Sequence, residues 1–157
     1  KQAKKEVKNL RLFLAGSLDI NNPTALSRKE FADILKIKNI HYLGNVNDIK
    51  RVLNKANICV LLSKREGLPL ALMEAAATGR CIIATDVPGC REIALNNVNA
   101  ITVPLGDINK IKDAMVKLSS NRTLRLNLAK RGRKVVESDM STNQVYEKYL
   151  KIYNKLS

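Results

Sequence analysis

Tryptophan is missing from this 157-residue sequence, and histidine (one), phenylalanine (two) and cysteine (three) are scarce. Each shortage removes a class of function or fold. Six aromatic side chains, four Tyr and two Phe, do not supply the stacking platforms on which single-strand nucleic-acid binders lay successive bases. Cys59, Cys81 and Cys90 show no C-x-x-C or Cys/His spacing, which rules out structural zinc and a disulfide framework and points to a reduced, cytoplasmic setting. Only 7 Gly and 4 Pro argue against a disordered or collagen-like chain. No apolar run nears the roughly 18–20 residues needed to cross a bilayer. The opening Lys1-Gln2-Ala3-Lys4-Lys5-Glu6 lacks the apolar core of a signal peptide.

What remains, 45% hydrophobic and 27% charged residues, suits one globular domain. A chain of this size buries about 70% of its unfolded surface and so needs no cross-link to hold together. Its first residues read as the end of a helix without an initiating Met, so the expectation is a piece of a longer protein. The charge is lopsided: 28 Lys and Arg against 14 Asp and Glu give +14. Residues 1–55 and 107–157 each hold 12 basic and 5 acidic side chains, whereas residues 56–106 hold 4 and 4. Eighteen of the cations are Lys and most fall on predicted helices, which describes a solvated surface. Peripheral attraction to anionic lipid at the inner membrane face is a second reading, and nucleic acid a weaker third.

Strand and helix patterns alternate. Apolar runs at residues 10–15, 40–43, 57–62, 81–84 and 100–103 read as strands, that at 57–62 being the clearest central one. Helices are predicted at residues 27–36, opened by a Ser27/Glu30 capping box, at 48–54, from Pro69 as first helical residue to Ala77, and at 107–119, 123–136 and 142–156. Residues 86–90 read as a loop. Parallel strands joined by helices give an α/β, Rossmann-like, doubly wound sheet, whose ligands bind at the carboxyl ends of the strands.

That rule singles out Ser63-Lys64-Arg65-Glu66-Gly67-Leu68, between the central strand and a helix. Backbone N–H groups at Gly67, Leu68 and the next turn, with the positive end of the helix dipole, can hold an anion such as a phosphate. Gly67 admits a close approach, Pro69 sets the entry angle, and Leu70 offers an apolar edge to a ring. Glu66 and Glu74 frame the turn, where each can accept hydrogen bonds from sugar hydroxyls. The competing reading makes Glu66 a solvated loop residue and Glu74 an exposed helical one.

The run Glu66-Gly67-Leu68-Pro69-Leu70-Ala71-Leu72-Met73-Glu74-Ala75, followed by Gly79 and Ile82-Ile83-Ala84-Thr85-Asp86, resembles the E-x7-E region of retaining GT-B glycosyltransferases of family 4. The resemblance extends through Phe13-Leu14-Ala15-Gly16, Tyr42-Leu43-Gly44-Asn45-Val46, Pro88-Gly89-Cys90-Arg91-Glu92-Ile93 and Val103-Pro104-Leu105-Gly106-Asp107. It implies that the whole chain is the C-terminal, donor-binding domain of a two-domain GT-B enzyme whose N-terminal acceptor domain lies outside it. Glu66 would face the transferred sugar and the reacting centre, Glu74 the ribose hydroxyls, and Gly67, Leu68, Pro69 and Leu70 the diphosphate or sugar. Gly44, Val46 and Asp48 would line the nucleobase pocket, with Gly16 among the donor-binding residues. The implied partners are a nucleotide sugar and a glycan or lipid-linked acceptor of polysaccharide or glycolipid synthesis, with no cofactor and no metal. The family's diphosphate-binding Arg and Lys precede the strand at Leu10 and fall outside this sequence, so alone it is expected to bind donor weakly and to catalyse nothing.

Other residues read as structural. His41 has no partner motif, Asn121-Arg122-Thr123 is an inert glycosylation pattern, and Tyr146, Leu150 and Tyr153 form a core or domain-packing stripe. Asn99 replaces a common family Gly, which a left-handed Asn would accommodate. Pro88-Gly89 reads as a turn and helix start that could touch the donor. A nucleotide-sugar epimerase or phosphorylase-like enzyme shares the architecture. A non-catalytic basic module that binds RNA or anionic membrane is the reading from another class.

Overall fold

The computed structural model describes residues 2–7, 9–19 and 25–156. Its elements run α1 (Gln2–Glu6), β1 (Leu12–Ala15), α2 (Arg28–Leu35), β2 (Ile40–Gly44), α3 (Ile49–Lys55), β3 (Ile58–Leu61) and α4 (Leu70–Ala77). They continue with β4 (Cys81–Thr85), α5 (Pro88–Arg91), β5 (Ala100–Val103), α6 (Ile108–Ser120), α7 (Arg122–Asp139) and α8 (Thr142–Leu156). The class is α/β and Rossmann-like: every strand pairing is parallel, as β1–β2 and as β3–β4–β5. The chain divides into two compact units, residues 1–49 and 50–157.

In the first unit, β1 and β2 pair with Phe13 opposite His41. The two rings stack with centroids 5.3 Å apart, which gives His41 the structural place expected of it. Phe31 from α2 meets Tyr42 edge-on at 5.0 Å. The capping box is present as the sequence predicts: Ser27 Oγ accepts from the Glu30 N–H, and Glu30 Oε2 accepts from the Ser27 N–H at 2.9 Å. The hydrogen bond from the Ser27 hydroxyl, and then that from its N–H, holds the Glu30 carboxyl below its ordinary range.

The second unit is built on β4. All five of its residues are buried although successive side chains point to opposite faces, so both faces of the strand are covered. On the face bearing Cys81 and Ile83, Val103 joins Ala114 and Leu118 of α6 and Leu128 and Ala129 of α7 in one apolar cluster. Ile82 and Ala84, on the other face, are equally inaccessible. Burial of large aliphatics at about 1.5–3 kcal/mol each is the main source of stability here.

Two expectations change. Residues 86–90, read as a loop, are loop only to Val87; the helix start read at Pro88-Gly89 is α5, a single helical turn with Pro88 at its first position, where a fixed φ and a missing N–H both suit. Four residues are too few to show a helical period in sequence. Asn99 is not left-handed; that conformation belongs to Asn97, at φ 59°. Asn99 is fully buried, its carboxamide accepting from the Leu95 N–H at 2.7 Å and donating to the Ile93 carbonyl at 2.8 Å. It pins the turn that returns the chain to β5. Asn99→Ala leaves both backbone groups unpaired, at about 1–3 kcal/mol each. The expected outcome in urea unfolding is a loss of about 2 kcal/mol or more for Asn99→Ala, against a change within about 0.5 kcal/mol for Asn97→Gly, which suits a left-handed turn.

Candidate functional site

The register of β3 on β4 sets Leu61 beside Ala84, so the chain leaves both strands at neighbouring carboxyl ends. From β3 it runs through residues 62–69 into α4. Lys64 and Arg65 are exposed, Glu66 half-buried, Gly67 and Leu68 exposed, and Pro69 buried. Pro69 stands at the N-cap rather than the expected first helical position: its extended backbone (φ −74°, ψ 103°) turns the chain, and its carbonyl accepts from the Leu72 and Met73 N–H groups at 3.0 and 3.2 Å. Helix α4 buries Leu72, Ala75 and Ala76, whereas Leu70 and Glu74, one turn apart on another face, are exposed. Among the described residues, the N–H groups of Gly67, Leu68, Leu70 and Ala71 have no hydrogen-bond partner. Four such donors, two of them in the first turn of a helix, thus fall along the chain between two carboxylates, residue types able to hold an anion carrying hydroxyl-rich groups.

Two cysteines report where these carboxylates lie. Burial, and then the negative charge of Glu74, pushes the Cys59 thiol on β3 up to about 11. Burial also raises the Cys90 thiol on α5; the neighbouring Thr85 hydroxyl opposes the shift and the charge of Glu66 adds to it. The main chain of Glu66 lies against the β4–α5 corner, beside Gly89.

That corner fits the loop closely. The Thr85 hydroxyl, buried at the end of β4, donates to the Ser63 carbonyl at 2.6 Å. A Cβ built on Gly89 would collide with the carbonyl oxygens of Glu66 and Gly67 and lie 2.6 Å from the carbonyl carbon of Glu66. Gly89 thus packs against the loop, with no left-handed conformation demanding glycine there. Gly67 is the reverse case: among the described residues, its chain neighbours aside, nothing lies within 4 Å of its missing Cβ, and its φ is ordinary. Sequence reasoning met Thr85 only inside the family motif and read Gly89 as part of a turn and helix start that could touch the donor. The available signal was a glycine in the helical turn directly after a buried strand.

The other expected site residues belong to the first unit. Gly16 and Gly44, at the ends of β1 and β2, come together: the Gly16 N–H donates to the Gly44 carbonyl at 2.8 Å, and both glycines have positive φ, 119° and 65°. Val46 is half-buried and Asp48 exposed in the turn that follows. Asn121 caps α7, its side chain accepting from the Leu124 N–H. Tyr146 and Tyr153 are exposed on α8, so of the two places expected for that stripe the core is excluded among the described residues.

The family model for glycosyl transferases group 1 matches residues 1–135. The chain belongs to that family. It is 31% identical over 144 residues to the N,N'-diacetylbacillosaminyl-diphospho-undecaprenol alpha-1,3-N-acetylgalactosaminyltransferase of Campylobacter jejuni, covering 91% of this chain and 36% of the relative. Sucrose-phosphate synthase from Thermosynechococcus elongatus superposes with a TM-score of 0.85 at 21% identity, over 98% of this chain and 40% of that one. TarM from Staphylococcus aureus, in a complex containing UDP, gives 0.82 at 22% identity, over 98% and 31%. The chain spans little more than a third of the length of the first two curated relatives, 36% and 38%, and as little as 20% of another.

The buried thiols give the domain an alkaline weakness. Burial raises Cys81 as well, to about 11, from an ordinary 9.0. From pH 9 to 11 an unfolded chain releases these protons while the native state keeps them, so stability is whole below pH 9 and falls as pH rises. Urea midpoints measured at pH 8.5 and 10.5 are expected to drop, and to drop less in a Cys59→Ala/Cys81→Ala variant.

Proposed function

We propose that this group 1 chain is the donor-binding domain of a retaining glycosyltransferase, which moves a sugar from a nucleoside diphosphate to a glycan or lipid-linked acceptor. The observation that carries the reading is the β3–α4 turn, where unpaired amides at the head of a helix are flanked by Glu66 and Glu74. Breaking the sugar–diphosphate bond places negative charge on the departing diphosphate and positive charge on the anomeric carbon and ring oxygen. The amides of Gly67, Leu68, Leu70 and Ala71 and the helix dipole stabilise the first charge. The Glu66 carboxylate stabilises the second, and Glu74 accepts hydrogen bonds from ribose hydroxyls. In the first unit, the Gly44 turn, with Val46 and Asp48, is the proposed contact for the nucleobase, and Gly16 is kept among the donor-binding residues. No resident metal or cofactor is assigned in this reading: the diphosphate falls to these backbone donors together with the Arg and Lys that the resemblance places outside this sequence.

The family match and the lipid-linked, α-linked chemistry in the name of the Campylobacter relative support this reading, as does UDP in the TarM crystal. An acceptor on a lipid carrier would bring the enzyme to a membrane surface, where the basic flanks favour anionic lipid. The test is turnover by the intact protein across a panel of nucleotide sugars, with and without EDTA. Release of nucleoside diphosphate only in the presence of acceptor, with anomeric configuration kept and EDTA without effect, is the expected result. Isomerised donor without transfer points instead to an epimerase. Glu66→Gln should lower kcat by about 100-fold or more, the scale of losing one electrostatic stabiliser, with nucleoside diphosphate affinity nearly unchanged. Glu74→Gln should weaken donor binding by about tenfold, the scale of one charge-assisted hydrogen bond, with a smaller change in kcat.

A further inference from the structure

We propose that the β4–α5 corner, through Gly89 and Thr85, sets the position of the Glu66–Gly67 peptide and hence of the Glu66 carboxylate and the Gly67 amide. Two independent contacts support it. One is a hydrogen bond: the Thr85 hydroxyl, anchored in the fully buried strand, holds the Ser63 carbonyl at 2.6 Å where the loop begins. The other is a close approach: the carbonyls of Glu66 and Gly67 occupy the space that any side chain at residue 89 would need. A Cβ requires about 3.4 Å from those atoms, so an alanine at 89 must displace either the loop or α5.

The corner itself is fastened. Arg91 bridges to Asp86 at 2.6 Å and donates to the Asp86 carbonyl, while the Asp86 N–H bonds the Val103 carbonyl at 2.8 Å on β5. The Arg91 N–H closes the turn on the Val87 carbonyl at 3.1 Å. Facing this corner, the loop carries exposed residues at 64, 65, 67 and 68, and the N–H groups of Gly67 and Leu68 make no bond within the described protein. The loop is the softer partner, so the displacement falls on Glu66 and Gly67. Misplacing a reacting group by about 1 Å costs on the order of 100-fold in rate. Gly89 and Thr85 are therefore positioning residues that act through the loop.

This inference rests on the proposed glycosyl transfer only for its kinetic readout. Gly89→Ala in the intact protein is expected to lower kcat by about 100-fold with a smaller change in donor KM. Gly79→Ala is the control: Gly79 has φ 66° and nothing within 4 Å of its Cβ position, so alanine there strains the backbone without touching the loop. It should lower the melting temperature and leave kcat near wild type. Thr85→Val should lower kcat by about tenfold, as loss of one buried hydrogen bond allows, and Thr85→Ser should restore it. Wild-type kcat in soluble Gly89→Ala overturns the proposal. If Gly89→Ala does not fold, the Thr85 pair decides: equal kcat in the Val and Ser variants is then the overturning result. Absence of turnover in the wild type rejects the proposed function and leaves the rate of tryptic cleavage after Lys64 and Arg65 to judge the positioning. Faster cleavage in Gly89→Ala and Thr85→Val but not in Gly79→Ala supports it; unchanged cleavage in all three overturns it.

Discussion

A strand buried on both faces is the constraint from which the second unit follows. Strand β4 has no polar face to turn toward water, so helices must cover it on either side and neighbouring strands must take up its backbone groups. Parallel pairing then brings the carboxyl ends of β3, β4 and β5 to one edge. The segments leaving β3 and β4 are forced to be neighbours there, one carrying Glu66 and the other Gly89. The proposed chemistry thus occupies an edge that the hydrophobic core creates, with the core itself taking no part in it.

Two glycines beside each other at that edge serve opposite ends. The missing side chain of Gly89 is used by the protein, since the Glu66 and Gly67 carbonyls fill its place. The missing side chain of Gly67 meets nothing among the described residues, and its amide is unpaired among them. A glycine that neither backbone conformation nor internal packing requires leaves room for the ligand that the proposed function brings. Here that visitor would meet four amides at the head of α4.

Much of this was legible in sequence because it is local. The near-continuous apolar runs of β3 and β4, the Ser27/Glu30 box and the placing of Glu66, Gly67 and Glu74 on one strand–turn–helix all depend on residues close along the chain. What escaped depends on residues far apart or on elements too short to be periodic. Nothing in the order of residues says that Gly89 meets the Glu66 carbonyl, or that the Thr85 hydroxyl reaches Ser63, 22 positions away. Asn99 misled for a related reason: Asn serves both left-handed turns and buried carboxamide bridges, and only the folded turn shows that Asn97 takes the first role and Asn99 the second. The tyrosines of α8 have helical spacing, yet spacing alone does not tell a core stripe from an exposed one.

The net charge of +14 is a poor guide to the site, and its distribution shows why. Residues 56–106, which hold the loop and both corners, carry equal numbers of acids and bases. Of their four cations, Arg91 is engaged by Asp86, and Arg80 by the carbonyls of Thr78 and Ala56. Lys64 and Arg65, on the loop itself, are exposed. Exposed charge farther than about 8 Å from a ligand is largely screened by salt. Amides act in contact, at hydrogen-bond distance and without the cost of stripping water from an ammonium group. An anion at this loop would therefore be held chiefly by backbone, and its recognition would depend on the placement of the Glu66–Gly67 peptide more than on the abundance of lysine.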